Sequence, residues 1–262
     1  MLLAQLSDTH VLEPGEVLCG VVDTAALLAA AVAHVNALEP SPDFVLVTGD
    51  LVDDGSQAQY AHLRQLLAPL RAPVILVPGN HDDPAALLAE FPDQRGRAVH
   101  DLGPLRLVVL DSRLPGQPGG CLGDEQLRWL DEVLATDRGR PALVAVHHPP
   151  FVTGIVHMDG MGLQDAEAFG EVIARHPHVE RVLSGHLHRP IQVRWRGTLA
   201  LTAPSVAHQV SLDLRPDGTA TFTFEPAAIL LHWWRHDAGL VTHQSYVERF
   251  AGPYRFDGSR VE

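Results

Sequence analysis

The segment SGHLHRP, residues 184–190, sets two imidazoles two positions apart, His186 and His188, behind a glycine and an apolar run. Such a pair offers two nitrogen donors to one small region of space, which suits a metal ion. It is also common in solvated loops, so the rest of the chain has to decide. Four other apolar runs end in the same kind of residue. LLAQL (2–6) leads to Asp8 and His10, FVLVTG (44–49) to Asp50, VILVPG (74–79) to Asn80 and His81, and ALVAVHH (142–148) to His147 and His148. Asp8, His10, Asp50, Asn80, His147, His186 and His188 together form a carboxylate, amide and imidazole donor set with no thiolate. Seven such donors suit two transition ions drawn from Fe, Mn, Zn and Co, and disfavour Ca²⁺ and iron–sulfur chemistry. On a strand neighbouring side chains face opposite sides, so His148 is expected to fall outside the set that takes His147.

The elements that must position these residues are legible as well. The apolar runs, with LRLVVLD (105–111) and RVLSGH (181–186), are short, rich in Leu and β-branched residues, and closed by Gly, Pro, Asp or His, as buried strands are. Helical stretches lie between them at 23–39, 56–70, 124–135 and 165–176, the first capped by Asp23 and the third opening on acidic residues. Strands alternating with helices predict a layered α/β fold, in which the C-terminal strand ends share one edge where ligands bind. Residues spread over 180 positions then converge. Gly49, Gly79 and Gly185 each precede a donor and are expected to supply sharp turns. After residue 190 short alternating segments separated by turn residues predict antiparallel strands that complete a second sheet, within a single domain over 1–262. LHWW (231–234) reads as a packing or subunit-contact surface, and the loop holding His157 and Asp159 as a possible wall of the substrate pocket.

Composition narrows the function classes. The formal charge is −13, which repels polyanions and argues against a nucleic-acid surface without excluding a small phosphate ester. No run approaches the ~20 apolar residues of a membrane helix. The N-terminal residues lack a signal-peptide pattern, and two cysteines make no disulfide framework, so a cytoplasmic location is expected.

The five blocks D-x-H, GD, GNH, a later H and GH-x-H, in that order, resemble the calcineurin-like metallophosphoesterases over roughly residues 1–190. HMDGMGLQDAEAF (157–169), SVAHQV (205–210) and FAGPYRFD (250–257) resemble the bacterial class III cyclic-nucleotide phosphodiesterases and the dinuclear-metal glycerophosphodiesterases. The resemblance implies a layered β-sandwich of two mixed sheets flanked by helices. It implies that Asp8, His10, Asp50 and His188 hold one ion, and that Asp50 bridges to a second held by Asn80, His147 and His186. His81 matches the family's phosphate-contacting histidine, and His208 is a second residue for that role. A homo-oligomer is the expected assembly.

One departure bears on the substrate. Ser/Thr protein phosphatases of the same superfamily carry an arginine in a GD-x-x-DRG block, where this chain reads GDLVDDG with Asp54. A phosphomonoester dianion loses its guanidinium clamp there, so diesters are the expected substrates. The expected reaction is hydrolysis of 3',5'-cyclic nucleotides or similar small phosphodiesters. Hydroxide shared by the two ions attacks while Asn80 and His81 contact the phosphate, with His81 the first choice of general acid. A glycerophosphodiesterase would use the same seven donors. The net charge weighs against a nuclease, and the complete donor set against a non-catalytic scaffold.

Overall fold

Leucine and valine repeat in runs too short for helices, and in these runs alternate residues serve two different cores. The computed structural model describes residues 1–260. Strands β1 (Leu2–Leu6), β2 (Phe44–Thr48) and β3 (Val74–Val77) run parallel to one another. The second sheet is built from β4 (Ala98–Asp101), β5 (Arg106–Val109), β6 (Ala142–Ala145), β7 (Val179–Ser184), β8 (Ile191–Trp195) and β9 (Thr198–Thr202), ordered β4-β5-β6-β7-β9-β8. Leu3 and Leu46 point to the layer between the sheets, where they meet Leu107, Val109, Leu143, Ala145 and Leu183. Their neighbours Ala4, Val45 and Val47 point outward against helices α1 (Thr24–Asn36), α2 (Gln57–Leu67) and α3 (Pro84–Glu90). On the far side Val108, Ala142 and Val144 pack on α4 (Gly123–Thr136) and α6 (Ala166–Ala174), beyond the single turn α5 (Val156–Asp159). The result is helix, sheet, sheet, helix, with both faces of each sheet covered. This is the expected β-sandwich of two mixed sheets flanked by helices.

The C-terminal part differs from the expectation. The sequence predicts that the segments after residue 190 complete the second sheet, whereas the chain there contributes strands to both sheets. The β8–β9 hairpin joins the second sheet, with β9 parallel to β7. β10 (Gln209–Val210) and β11 (Phe222–Thr223) form a small separate hairpin. β12 (Ala228–Arg235) and β13 (Gly239–Tyr246) return to the first sheet, ordered β13-β12-β1-β2-β3, with β12 antiparallel to β1. LHWW therefore sits inside β12, with His232 buried and Trp233 half exposed beneath the Arg235 guanidinium. Its mixed sequence hid a strand whose two faces meet different neighbours.

One polar chain crosses the apolar layer between the sheets. Gln5 Nε2 donates to Thr48 Oγ1 at 3.0 Å and to the Ser184 carbonyl at 3.1 Å. That orientation turns Gln5 Oε1 to His232 Nε2, 2.9 Å away, so Nε2 carries the proton and Nδ1 accepts from Thr242 Oγ1 at 2.9 Å. Burial, helped by the charge of Arg181, pushes the His232 imidazole down to about 3. His232 is therefore neutral in the fold, whereas the unfolded chain protonates it below about 6.5. Between those values the unfolded state holds more protons, so stability falls as pH falls, by up to about 1.4 kcal/mol per pH unit. His232→Gln keeps a donor and an acceptor but cannot titrate. Urea unfolding between pH 4 and 7 should show a shallower acid loss in the variant than in the wild type; parallel curves would contradict the assignment.

Candidate metal centre

Parallel strands put their C-terminal ends on one edge of each sheet, and the sandwich brings the two edges together. Asp8 and His10 follow β1, Asp50 follows β2, Asn80 and His81 follow β3, His147 follows β6, and His186 and His188 follow β7. Backbone bonds join these loops: Asp8 N to the Gly49 carbonyl at 3.1 Å, His10 N to that of Asp50 at 2.9 Å, and Gly185 N to that of His147 at 3.0 Å. His186 N donates to Asp8 Oδ1 at 2.9 Å, tying the loop of one sheet to a side chain of the other.

The inward aim of the side chains has a conformational cost. Asp8, His10, Asp50, His186 and His188 all have left-handed backbone, with φ of 52°, 42°, 45°, 68° and 54°. For non-glycine residues this costs about 1 kcal/mol or more each, and such strain gathers at functional sites. The turn thus falls on the donors themselves, and the expectation that all three glycines supply it is corrected. Only Gly49 has positive φ, at +95°. Gly79 and Gly185 are needed for closeness: a Cβ on Gly79 would overlap the backbone and carboxylate of Asp50, and one on Gly185 would overlap Ser7 Oγ and the Thr48 carbonyl.

The donors form two groups that share Asp50. Ligand atoms of Asp8, His10, Asp50 and His188 lie within 4.8 Å of one another, all four residues buried. Asp50 Oδ2 lies 3.6 Å from His10 Nε2 and 3.4 Å from His147 Nε2, between the groups. On the second side His147 Nε2 is 3.1 Å from Asn80 Oδ1, and the His147 and His186 rings are 5.1 Å apart. His148 also lies close to this pair, but its Nδ1 pairs with Ser112 Oγ at 2.7 Å and its Nε2 with the Pro118 carbonyl at 3.1 Å. Both of its nitrogens are occupied, and burial beside the His147 charge pushes it down to about 3.

These residues fit metal ions. Nδ1 of His147 donates to the Thr48 carbonyl (2.9 Å) and that of His188 to the His208 carbonyl (2.9 Å), while that of His10 pairs with Asp53 Oδ1 (3.1 Å). Such partners fix the tautomer and aim each Nε2 inward as a donor to metal. Nε2 of His10 and His188 face each other at 3.2 Å. Asp8 Oδ2 and His186 Nε2 are buried and have no hydrogen-bond partner. Burial opposes charge on Asp50 and His147, yet each outweighs that for the other: Asp50 is held well below the usual carboxylate range and His147 is pushed up to about 9. Burial, with the nearby Asp50 charge, raises Asp8 to about 6 despite the opposing charge of His147. Carboxylates buried this way require positive charge, which cations supply.

His81 and His208 lie outside this shell. His81 is exposed; its backbone N–H donates to Asp50 Oδ1 at 3.1 Å and its Nδ1 pairs with the Asp53 carbonyl at 2.6 Å, leaving Nε2 free of a protein partner. The His208 ring packs 4.6 Å from His188 and 5.6 Å from His10. Asp54, which stands where the related phosphatases carry arginine, turns away to accept from Ser56 N at 2.9 Å. The acidic side chain facing the histidines is Asp53. Asp159 accepts from Thr153 N and Oγ1 and from Gly154 N, all at 2.8 Å, and so shapes its own loop.

The sequence pattern does not mark Asp53 and Asp82. Each is the first of an adjacent acidic pair whose second acid serves local structure: Asp54 closes the turn before α2 by accepting from Ser56 N, and Asp83 caps α3. Asp82 Oδ2 accepts from Gly79 N (2.7 Å) and Leu51 N (3.1 Å), and its Oδ1 from Tyr60 OH (2.8 Å), so one buried carboxylate joins the GD and GNH loops.

Residues 1–190 match the family model described as calcineurin-like phosphoesterase. The chain is 36% identical over 271 residues to the probable glycerophosphodiester phosphodiesterase GpdQ of Arcobacter nitrofigilis, covering 100% of this chain and 99% of that protein. It is 38% identical over 244 residues to the 3',5'-cyclic adenosine monophosphate phosphodiesterase CpdA of Pseudomonas aeruginosa, covering 91% and 87%. A dimetal phosphatase from Danio rerio shares the fold, with a TM-score of 0.64 at 17% identity, covering 95% of this chain and 99% of that one.

The Asp82 clamp yields a prediction. Asp82→Ala leaves the Gly79 and Leu51 amides and the Tyr60 hydroxyl without their buried acceptor, at about 1–3 kcal/mol for each group left unpaired. Urea unfolding should show a loss of several kcal/mol although no donor to metal has changed; a loss below about 1 kcal/mol would mean that the clamp is not structural.

Proposed function

The chain belongs to the calcineurin-like phosphoesterase family, and from that premise we propose that it hydrolyses small phosphodiesters, 3',5'-cyclic nucleotides first among them. The observation that carries this reading is the Asp50 carboxylate between two donor groups, 3.6 Å from His10 and 3.4 Å from His147. In this reading Asp8, His10, Asp50 and His188 hold one ion, and Asp50, Asn80, His147 and His186 hold the other. The pair is drawn from Fe, Mn, Zn and Co. Two ions bound there supply Lewis acidity toward the phosphoryl oxygens and lower the pKa of water at the site.

The chain's own residues do the rest. Asn80 orients a non-bridging phosphoryl oxygen through its amide. His81 donates from Nδ1 to the Asp53 carbonyl, which fixes its ring; in the imidazolium form its second proton, on Nε2, would pass to the departing alkoxide and leave the ring neutral. His208 contacts the substrate beside them. The absence of an arginine after Asp50 favours a singly charged diester over a dianion. Arg113, on the neighbouring loop, is engaged with Asp111 and with the Asp82 carbonyl at 2.8 Å. A cytoplasmic location and a homo-oligomeric assembly belong to the same reading. Among the described residues no helix is long and apolar enough to cross a membrane.

A second reading, a glycerophosphodiester phosphodiesterase with the same metal site, is favoured by the full-length match to the Arcobacter protein. A hydrolysis panel on metal-loaded protein separates the two: cyclic AMP, cyclic GMP, glycerophosphoethanolamine, p-nitrophenyl phosphate and bis(p-nitrophenyl) phosphate. Higher kcat/KM on the diester than on the monoester is the expected result, and the reverse order would sink the diester reading. His81→Ala should keep its metal content while kcat falls on the order of 10²–10³-fold. The loss should be smaller for p-nitrophenolate leaving groups, which need no proton. Equal losses for good and poor leaving groups would reduce His81 to a phosphate contact, and loss of metal would put it among the ligands.

A further inference from the structure

A file of aromatic rings leads out of the site. His208, packed 4.6 Å from His188, meets Phe222 at 5.1 Å, edge to face. Phe222 meets Phe224 at 6.0 Å, again nearly perpendicular. Exposure rises along the file, from the half-buried His208 to 37% for Phe222 and 59% for Phe224. Two phenyl rings this open are costly in water, and nothing in the fold requires them on a hairpin of two-residue strands. Exposed apolar side chains lie around them, with the Asp213–Arg215 ion pair on the same hairpin and Glu225, paired with Arg189, next to Phe224. Leu212 and Leu214 on the same hairpin are exposed, as are Val152 and Val156 on the facing loop, and the Leu214 side chain lies beside Gly154. The rim on this side thus carries exposed apolar and aromatic side chains, while the floor is a charged donor set.

That contrast matches a diester whose phosphate sits on the floor and whose organic substituent lies along the rim. We propose that Phe222 and Phe224 form the subsite for a planar aromatic substituent of the substrate, a nucleobase or an aryl group, and so set specificity between aromatic and aliphatic diesters. The proposal rests on the diester reading above. It names Phe222 and Phe224 as specificity residues outside the metal-holding set. A second copy of the chain is the other possible occupant of the rim. Continuity with the site favours substrate, since the file starts at a ring packed on two of the donor histidines.

Stacking of a base on an aromatic side chain, removed by alanine substitution, changes affinity on the order of 10-fold or more. In Phe222→Ala/Phe224→Ala, kcat/KM for cyclic AMP should fall about 10-fold, through KM, while glycerophosphoethanolamine changes less than about twofold. Calorimetry on the metal-loaded protein gives a readout independent of turnover: adenosine 5'-monophosphate should bind more weakly to the variant and glycerol 3-phosphate equally well. Equal losses for both ligand types, or no loss for either, would overturn the proposal. So would a change in sedimentation with unchanged affinity for both, which would assign the rim to contact between copies. If the wild type prefers monoesters, the diester reading fails on its own panel, and the paired calorimetry still decides whether the rings recognise a base.

Discussion

The Asp50 carboxylate is the point on which the molecule turns. Its Oδ2 faces histidines from both sheets, and its Oδ1 accepts the backbone N–H of His81. Among the described residues no other carboxylate oxygen lies within 4.0 Å of histidine nitrogens from both donor groups. Positive charge on either side stabilises a carboxylate buried there, and in the proposed reading two ions would supply it. The parallel strands, the seam between the sheets and the close glycines all serve to bring the two sets of loops within reach of this one group.

Holding it there requires strain elsewhere. Five donors sit in left-handed backbone, and helix–sheet packing on both outer faces keeps those turns in place. The Asp82 carboxylate stitches the β2 and β3 loops, and Thr48, Asp53 and His208 each provide the oxygen that fixes one imidazole. The residues around the donors therefore matter nearly as much as the donors, because each sets a tautomer or a turn. In this reading the metal-facing floor is rigid, and variation between substrates falls to the exposed rim.

Much of this was readable from the sequence. Strands buried on both faces announce themselves as unbroken apolar runs, and a polar residue directly after such a run has few structural reasons to be there. That is why the sequence groups Asp8, His10, Asp50, Asn80, His147, His186 and His188 together, and why their convergence follows from the parallel α/β pattern. Strand alternation does not set His148 apart, since it follows β6 and lies beside His147 and His186; bonds to Ser112 and Pro118 take both of its nitrogens instead. What stayed hidden depends on turn geometry. In each of the pairs Asp53–Asp54 and Asp82–Asp83 the chain gives no sign of which acid faces inward. Asp54 occupies the place of the arginine in the sequence, yet its carboxylate turns to Ser56 N and closes a turn. β12 and β13 were hidden too, because a strand pairing back to the N-terminal sheet across more than 200 residues leaves no local mark.

The most direct test of this account is the metal content of an Asp50 variant. With Asp50→Ala purified after metal loading, elemental analysis should find one ion absent and the other held more weakly than in the wild type. Asp50→Asn, which keeps the shape but removes the charge, should show a milder form of the same loss. Two tightly held ions per chain in Asp50→Ala would contradict the shared-carboxylate arrangement.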